Sequence, residues 1–192
     1  AELGRYLIAL ALLASLVQVL VAWRGAGLGG RNAYVKAGQA AAEIAVLAAG
    51  VAMILLIASF LRSDFSIAYV AANSSVDKPL AYKIAASWGG HEGSMLLWCL
   101  LLSVFGYGLA RLGPKDDGLR SRAVSFQGLL QTLFFGFLAF ASNPFERLSP
   151  VPLQGAELNP ILQDPLLVIH PPMLYVGYVG LSTAFAIAAA GL

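Results

Sequence analysis

Charged residues divide this 192-residue chain into long uncharged stretches. Eighteen uncharged residues separate Arg5 from Arg24, eighteen separate Glu43 from Arg62, eighteen separate Glu92 from Arg111, and twenty-three separate Arg122 from Glu146. After His170 no charged side chain follows as far as Leu192. A helix needs roughly 20 mostly apolar residues to cross the hydrocarbon core of a bilayer. Inside that core there is no water to satisfy peptide groups, so the stretches must be helical. The spacing predicts five spans, over about residues 4–23, 43–61, 94–111, 123–141 and 173–192. The expected fold class is all-α: a polytopic transmembrane helix bundle, one membrane domain over 1–192, with two long outward-facing loops. The first span is too long for a signal-peptide core and lacks its basic leader, so it reads as a retained helix.

Composition narrows the function classes. Apolar residues make up 59% of the chain and charged residues 11%, against about 45–50% and 25% in a soluble domain. The net charge of +2 comes from scattered basic residues, which disfavours disorder and nucleic-acid binding. Cys99 is the single cysteine, which excludes an intrachain disulfide, a CxxC redox pair and a Cys-rich zinc site.

Basic loops set the orientation. Loops 24–42 and 112–122, with Arg111 at the edge, hold seven Lys or Arg in short connections. The longer loops 62–93 and 142–172 hold four. The short basic loops are therefore expected in the cytoplasm, and the long loops outside, in the periplasm of a bacterium. The outer loops carry both histidines, Trp88 and most of the prolines, so any chemistry is expected on that side.

Within the spans, Gly128, Thr132 and Gly136 recur at intervals of four, as do Gly180, Ala184 and Ala188. Small residues at this spacing let helices approach closely in lipid, as a bundle contact or the wall of a ligand crevice. Cys99, beside Trp98, reads as a packing residue. Gln18, Gln127 and Gln131 are functional candidates by default as intramembrane polar groups. Glu43 lies near the inner edge, where an interfacial role suits it better than a proton relay.

Residues 63–75 end in the turn-like Asn73-Ser74-Ser75 and read as a strand or loop lying on the bundle. A new element begins near Leu80. If it is helical, Lys83, Ser87 and Trp88 lie close together. Trp88-Gly89-Gly90-His91-Glu92-Gly93-Ser94 then leads into the third span. Its glycines permit close backbone approach. His91 can titrate, ligate a metal or donate to a carboxylate, and with Glu92 it forms either a structural pair or part of a site. Trp88 can lie under a planar ligand or anchor at the headgroup level. Pro144, Pro150, Pro152, Pro160 and Pro165 preclude a long helix in the second outer loop, and Leu158–Pro165 reads as a short helical turn between two prolines.

His170-Pro171-Pro172 opens the last span. Proline suits a first helical turn and biases the preceding residue away from the α region. His170 is therefore expected just outside the helix mouth, on stiff backbone at the outer interface. A stiffly held imidazole suits a metal ligand, although a lone histidine commonly serves as a structural hydrogen-bonding group. Tyr175 and Tyr178 are expected to share a face below it and to line a pocket.

Several segments together, in this order and spacing, carry a resemblance. They are Asp64-Phe65-Ser66-Ile67-Ala68-Tyr69-Val70-Ala71, Trp88 through Trp98, Ser142-Asn143-Pro144-Phe145, Leu158 through Pro165, and His170-Pro171-Pro172-Met173-Leu174-Tyr175-Val176-Gly177-Tyr178-Val179-Gly180. Over nearly the whole chain they resemble the N-terminal part of the CcmF family of cytochrome c maturation proteins, in the haem-handling protein superfamily. The resemblance implies an enzyme component, a multi-pass haem lyase of the bacterial inner membrane. Such proteins take haem b from the periplasmic chaperone CcmE. With CcmH/CcmI-type partners they attach it to apocytochrome c by thioether bonds between haem vinyls and the thiols of CxxCH. The family's histidine before a double proline matches His170, which implies an axial ligand to haem iron, the expected metal role.

With haem as the ligand, the residues themselves read as haem contacts at Trp88, Tyr175 and Tyr178, and as site or structural groups at His91, Glu92 and Asp164. Asp164 is placed to orient the second ring nitrogen of His170. The outward cations available to haem propionates are Arg147 and Lys83, with Lys78 and Arg62. No nucleophile or other catalytic residue is expected here, since the apocytochrome brings its own thiols. The family's tryptophan-rich haem platform, its second outward histidine and the ligands of its second, membrane-embedded haem b have no match in this chain. It therefore reads as the N-terminal part of a longer polypeptide. Two other classes fit the span pattern. A transporter or channel segment is expected to show broken helices and midplane charges. A b-haem or quinone-reacting respiratory subunit is expected to show histidines within its spans.

Overall fold

A computed structural model describes residues 1–28, 33–156 and 165–192. In chain order the helices are α1 (Glu2–Gly27), α2 (Ala33–Leu61), α3 (Ala68–Asn73), α4 (Leu80–Gly89), α5 (His91–Leu112), α6 (Asp117–Phe140) and α7 (Pro165–Gly191). Five of them are long and apolar enough to cross a membrane: α1, α2, α5, α6 and the Val168–Gly191 part of α7. Each contains or closely overlaps an expected span, and most run beyond it. α2, the extreme case, starts ten residues ahead of the expected 43. Its 29 residues reach about 43 Å at 1.5 Å per residue, which places Lys36 and Glu43 toward one end. Long charged side chains there reach the interface without ending the helix.

Alanine and glycine build the centre. α2 buries Gly38, Ala41, Ala42, Ala45, Ala48, Ala49 and Ala52, and α1 lies along this smooth face. A Cβ on Gly38 would lie 3.2 Å from that of Ala22. The glycine-spaced rows expected in α6 and α7 are only partly contacts. Gly128 packs on Gln18 and Gly180 on Phe105, but a side chain at Gly136 would meet open space, and Ala184 and Ala188 are exposed. In α7 the buried positions are Val179, Ala186 and Ala190, one step round the helix.

The three intramembrane glutamines are fully buried and act as cross-helix ties. Gln18 Nε2 donates to the Val124 carbonyl at 2.9 Å. Gln127 Nε2 donates to the Leu102 carbonyl at 3.2 Å and to Ser182 Oγ at 3.0 Å. Gln131 Nε2 also donates to the Leu102 carbonyl, at 3.0 Å. In lipid such bonds replace the hydrophobic effect as glue. Cys99 is fully buried, as its packing role requires.

The alternating spans bring both long connections to one end of the bundle. The strand or loop expected at 63–75 is instead the short helix α3, with an antiparallel bridge just before it joining Ile67 to Arg147. Ala68 N–H donates to the Glu146 carbonyl at 2.8 Å, Leu148 N–H to that of Ser66 at 2.9 Å, and Ala156 N–H to that of Ala71 at 2.7 Å. Phe145 is buried against α1, where a Cβ on Gly4 would lie 2.5 Å from its ring. The second long loop is thus strapped across the first. At the other end Arg111 pairs with Glu43 at 2.8 Å, both half-exposed, which gives Glu43 an interfacial partner.

α7 is the least enclosed span. Only 17% of it is buried, against 33–44% of the other four. Its open side starts at the strapped-loop end, where the site residues gather.

Candidate functional site

His170 lies within α7, not ahead of it. The helix begins at Pro165 and carries Pro171 and Pro172 inside it. The pre-proline bias is therefore overridden, and the hydrogen bonds show how one of the donors lost to the prolines is replaced. A proline inside a helix leaves the carbonyl four residues back without its donor, and for Pro172 that carbonyl is Val168's. The indole Nε1–H of Trp88 donates to the Val168 carbonyl at 3.1 Å. The side chain of α4 supplies the hydrogen bond that α7 cannot supply to itself. His170 is exposed at the loop end of α7, as expected, with no hydrogen bond among the described residues.

Trp88 is itself fixed. Its own carbonyl accepts the Ser94 hydroxyl at 2.7 Å, so both its backbone and its indole are committed. Behind it lies a clasp around Tyr69, a buried residue of α3. The Tyr69 hydroxyl accepts from Gly90 N–H at 2.9 Å and donates to the Ala86 carbonyl at 3.2 Å. Burial, more than any neighbour, pushes this phenol well above its ordinary pKa, and Glu92 adds to the rise. It therefore stays protonated and keeps its donor. Gly90 and Gly93 serve this clasp. A Cβ on Gly90 would stand 2.8 Å from the Tyr69 ring, and one on Gly93 would stand 1.8 Å from the Ser87 carbonyl oxygen. Close packing within the protein explains these two glycines better than close approach of a ligand.

The remaining candidates separate. His91 is the exposed first residue of α5, with its ring edge-on to Phe137 at 6.1 Å between centroids. Among the described residues no hydrogen bond joins it to Glu92, so the expected structural pair does not form. Tyr175 and Tyr178 do not share a face. Tyr175 turns inward onto Trp98 at 5.4 Å, and Trp98 stacks on Phe134 at 6.0 Å. Sequence reasoning missed this aromatic cluster between α5, α6 and α7, because aromatic residues inside apolar spans carry no distinguishing period. Tyr178 is 60% exposed and lies on the same broad side of α7 as His170. That side also presents Met173, Leu174 and Leu181, with Gly177 among them facing open space. Asp164 and the turn at Leu158–Pro165 lie outside the described residues, apart from Pro165, where α7 begins.

The two leading propionate candidates differ sharply. Lys83 is buried. Its Nζ donates to Ser63 Oγ at 2.8 Å and to the Val76 carbonyl at 3.0 Å. It ties α4 to the end of α2 and is out of reach of an incoming ligand, so the expectation of a propionate contact is corrected here. An i, i+4 row of Lys83 and Ser87 turns inward, which an exposed-cation reading of the loop overlooks. Arg147 stays in play. It pairs with Glu2 at 2.7 Å on the open surface, and its side chain is 61% exposed. Replacing Lys83 with Met is expected to destabilise the fold by about 2 kcal/mol, the scale of hydrogen bonds to a charged group. Thermal melting checks it.

Comparisons with known proteins identify the family and the fold. The family described as Cytochrome C assembly protein matches residues 88–192, more than half the chain. The cytochrome c-type biogenesis protein ccl1 of Rhodobacter capsulatus is 45% identical over 193 residues, covering all of this chain and 29% of the relative. The cytochrome c-type biogenesis protein CcmF of Escherichia coli is 41% identical over 194 residues, again covering all of this chain and 30% of the relative. A solved structure, Cytochrome c Heme Lyase CcmF, superposes with a TM-score of 0.82 at 31% identity, over 98% of this chain and 30% of that one. This chain therefore spans less than a third of the length of the relatives it matches. Matched by that family description across its last three spans and by the CcmF fold from end to end, this multi-pass membrane chain belongs to the cytochrome c assembly protein family.

Proposed function

We propose that this chain forms one side of the haem-binding face of a cytochrome c haem lyase, with His170 as an axial ligand to the iron of the haem substrate. The observation that carries the proposal is the state of His170. It is an exposed imidazole without an internal hydrogen bond among the described residues, at the loop end of an open, apolar helix face, in a chain similar to proteins named for cytochrome c biogenesis. Neutral imidazole suits iron. Below it, Met173, Leu174, Gly177 and Tyr178 offer a low apolar surface for a macrocycle edge. Arg147 is the exposed cation for a propionate. Trp88 contributes as a brace, since its indole N–H is engaged elsewhere.

The loop end faces the periplasm in this reading, in the bacterial inner membrane. Haem b arrives from the chaperone CcmE, and CcmH/CcmI-type subunits present the apocytochrome. Each thiolate of CxxCH forms a bond to a vinyl carbon while the adjacent carbon takes up the proton, so no nucleophile is asked of this chain. Its contribution is alignment, which lowers the barrier most when two groups must meet in one geometry. The rest of the ligand set, including that of a second haem b, lies outside these residues. Purified full-length protein loaded with haem is expected to show the absorption of a histidine-ligated iron. The spectrum should lose the contribution of one such iron in His170→Gly and keep it in His91→Gly. An unchanged spectrum in His170→Gly would remove the assignment.

A further inference from the structure

The brace on α7 has a consequence for the ligand it carries. Pro171 and Pro172 strip two N–H donors from the helix just beyond His170, the part of α7 that its own hydrogen bonds hold least. Val168 and His170 are two residues apart, about 200° around a helix of 3.6 residues per turn. A bond that fixes the Val168 side therefore sets the direction in which His170 points on the other. That bond is the one from the Trp88 indole, 3.1 Å from the Val168 carbonyl. Trp88 can serve as a fixed point because its own carbonyl is held by Ser94. The next two residues are clasped to Tyr69 through Gly90 N–H.

We propose that Trp88 is a positioning residue for His170: its indole N–H takes the place of the amide that Pro172 lacks and sets the rotation of the first turns of α7, and hence the direction of the imidazole. The proposal rests on the reading of His170 as the haem ligand. The double proline and the tryptophan, 84 residues apart, then form one device. The prolines free a carbonyl, and α4 grips it. A helix with its own amide at 172 would have no need of the indole.

That substitution supplies the test, in the full-length protein. Trp88→Phe keeps an aromatic ring and removes the donor. It is expected to lower haem retention about tenfold, the scale set by leaving a part-buried carbonyl unpaired, and to broaden the electron paramagnetic resonance signal of the bound iron as the imidazole samples several directions. Adding Pro172→Ala restores an amide that can bond to Val168 within α7. The double variant is expected to recover retention to within about twofold of the parent, since one hydrogen bond replaces another, and to recover the sharp signal. Amide exchange without haem follows the same order: faster at the start of α7 in Trp88→Phe, slow again in the double variant. Full retention in Trp88→Phe would overturn the proposal. So would a double variant no better than the single, which would make Trp88 a packing or stacking group. The two readings fail differently. If His170→Gly keeps haem, the ligand assignment falls and the positioning role with it. If His170→Gly loses haem while Trp88→Phe does not, only the positioning role falls.

Discussion

A His170→Gly variant of the full-length protein is expected to enter the membrane and fold normally while assembly of c-type cytochromes drops to background. The two halves of that expectation have separate causes. His170 is exposed and makes no hydrogen bond among the described residues, so its removal costs the fold about 1 kcal/mol, the helix penalty of glycine itself. His170→Ala avoids even that and should give the same assembly defect. The functional loss should exceed the 10–100-fold typical of altering a partner behind a metal ligand, because in the proposed reading it is the ligand itself that is gone. Added imidazole should restore part of the haem retention, since a free ring can occupy the space that the lost side chain leaves but is not held in direction. Blotting for covalent haem in the periplasmic fraction, beside a blot for the membrane protein, reads both halves. Normal cytochrome assembly in the variant would end the ligand assignment.

Gly93→Ala is expected to do the reverse: to break the fold of the loop end and take function with it. A Cβ there would stand 1.8 Å from the Ser87 carbonyl oxygen and 2.6 Å from the Tyr69 hydroxyl. Neither is the loose end of a flexible side chain. The oxygen belongs to α4 backbone, and the hydroxyl is held by Ala86 and Gly90. Relief requires α4 to separate from α5, which breaks the Tyr69 clasp and moves Trp88. The expected cost is about 4 kcal/mol, at the upper end for a single overpacking change. Lower accumulation in membranes and faster proteolysis within residues 63–93 would show it. Gly177→Ala is the matched control. A side chain there meets open space, so no destabilisation is expected, and relief of the helix penalty of glycine should stabilise by up to about 1 kcal/mol. A stable Gly93→Ala protein with an intact clasp would mean that α4 approaches α5 less closely than these distances require.

Much of this architecture is legible without coordinates, because the bilayer leaves few choices. The distances from Arg5 to Arg24, Glu43 to Arg62, Glu92 to Arg111 and Arg122 to Glu146 locate four spans by length alone. The missing charges after His170 locate the fifth. The same logic is silent on partners between spans. Nothing in the spacing of Gly128, Thr132 and Gly136 says that the first packs on Gln18 while the last faces outward. Nothing in Lys83 says that its ammonium turns inward to Ser63 and Val76, since a loop lysine is ordinarily solvated. Tyr175 and Tyr178 separate for a related reason. Three residues differ by only 60° around a helix, and the neighbouring Trp98 decides which of them is inside.

His170 marks the boundary between the two kinds of knowledge. By itself the sequence determined that an imidazole next to two prolines stands at the long-loop end of an apolar span, because span length and the loss of two amide donors are properties of the local chain. Only the tertiary structure decided that the helix continues through those prolines with the imidazole inside it. The indole of Trp88, 80 residues before the carbonyl it holds, makes good one of the two bonds that the prolines remove. A hydrogen bond lost within one helix and replaced from another has no local signature, and no pattern along α7 can announce it.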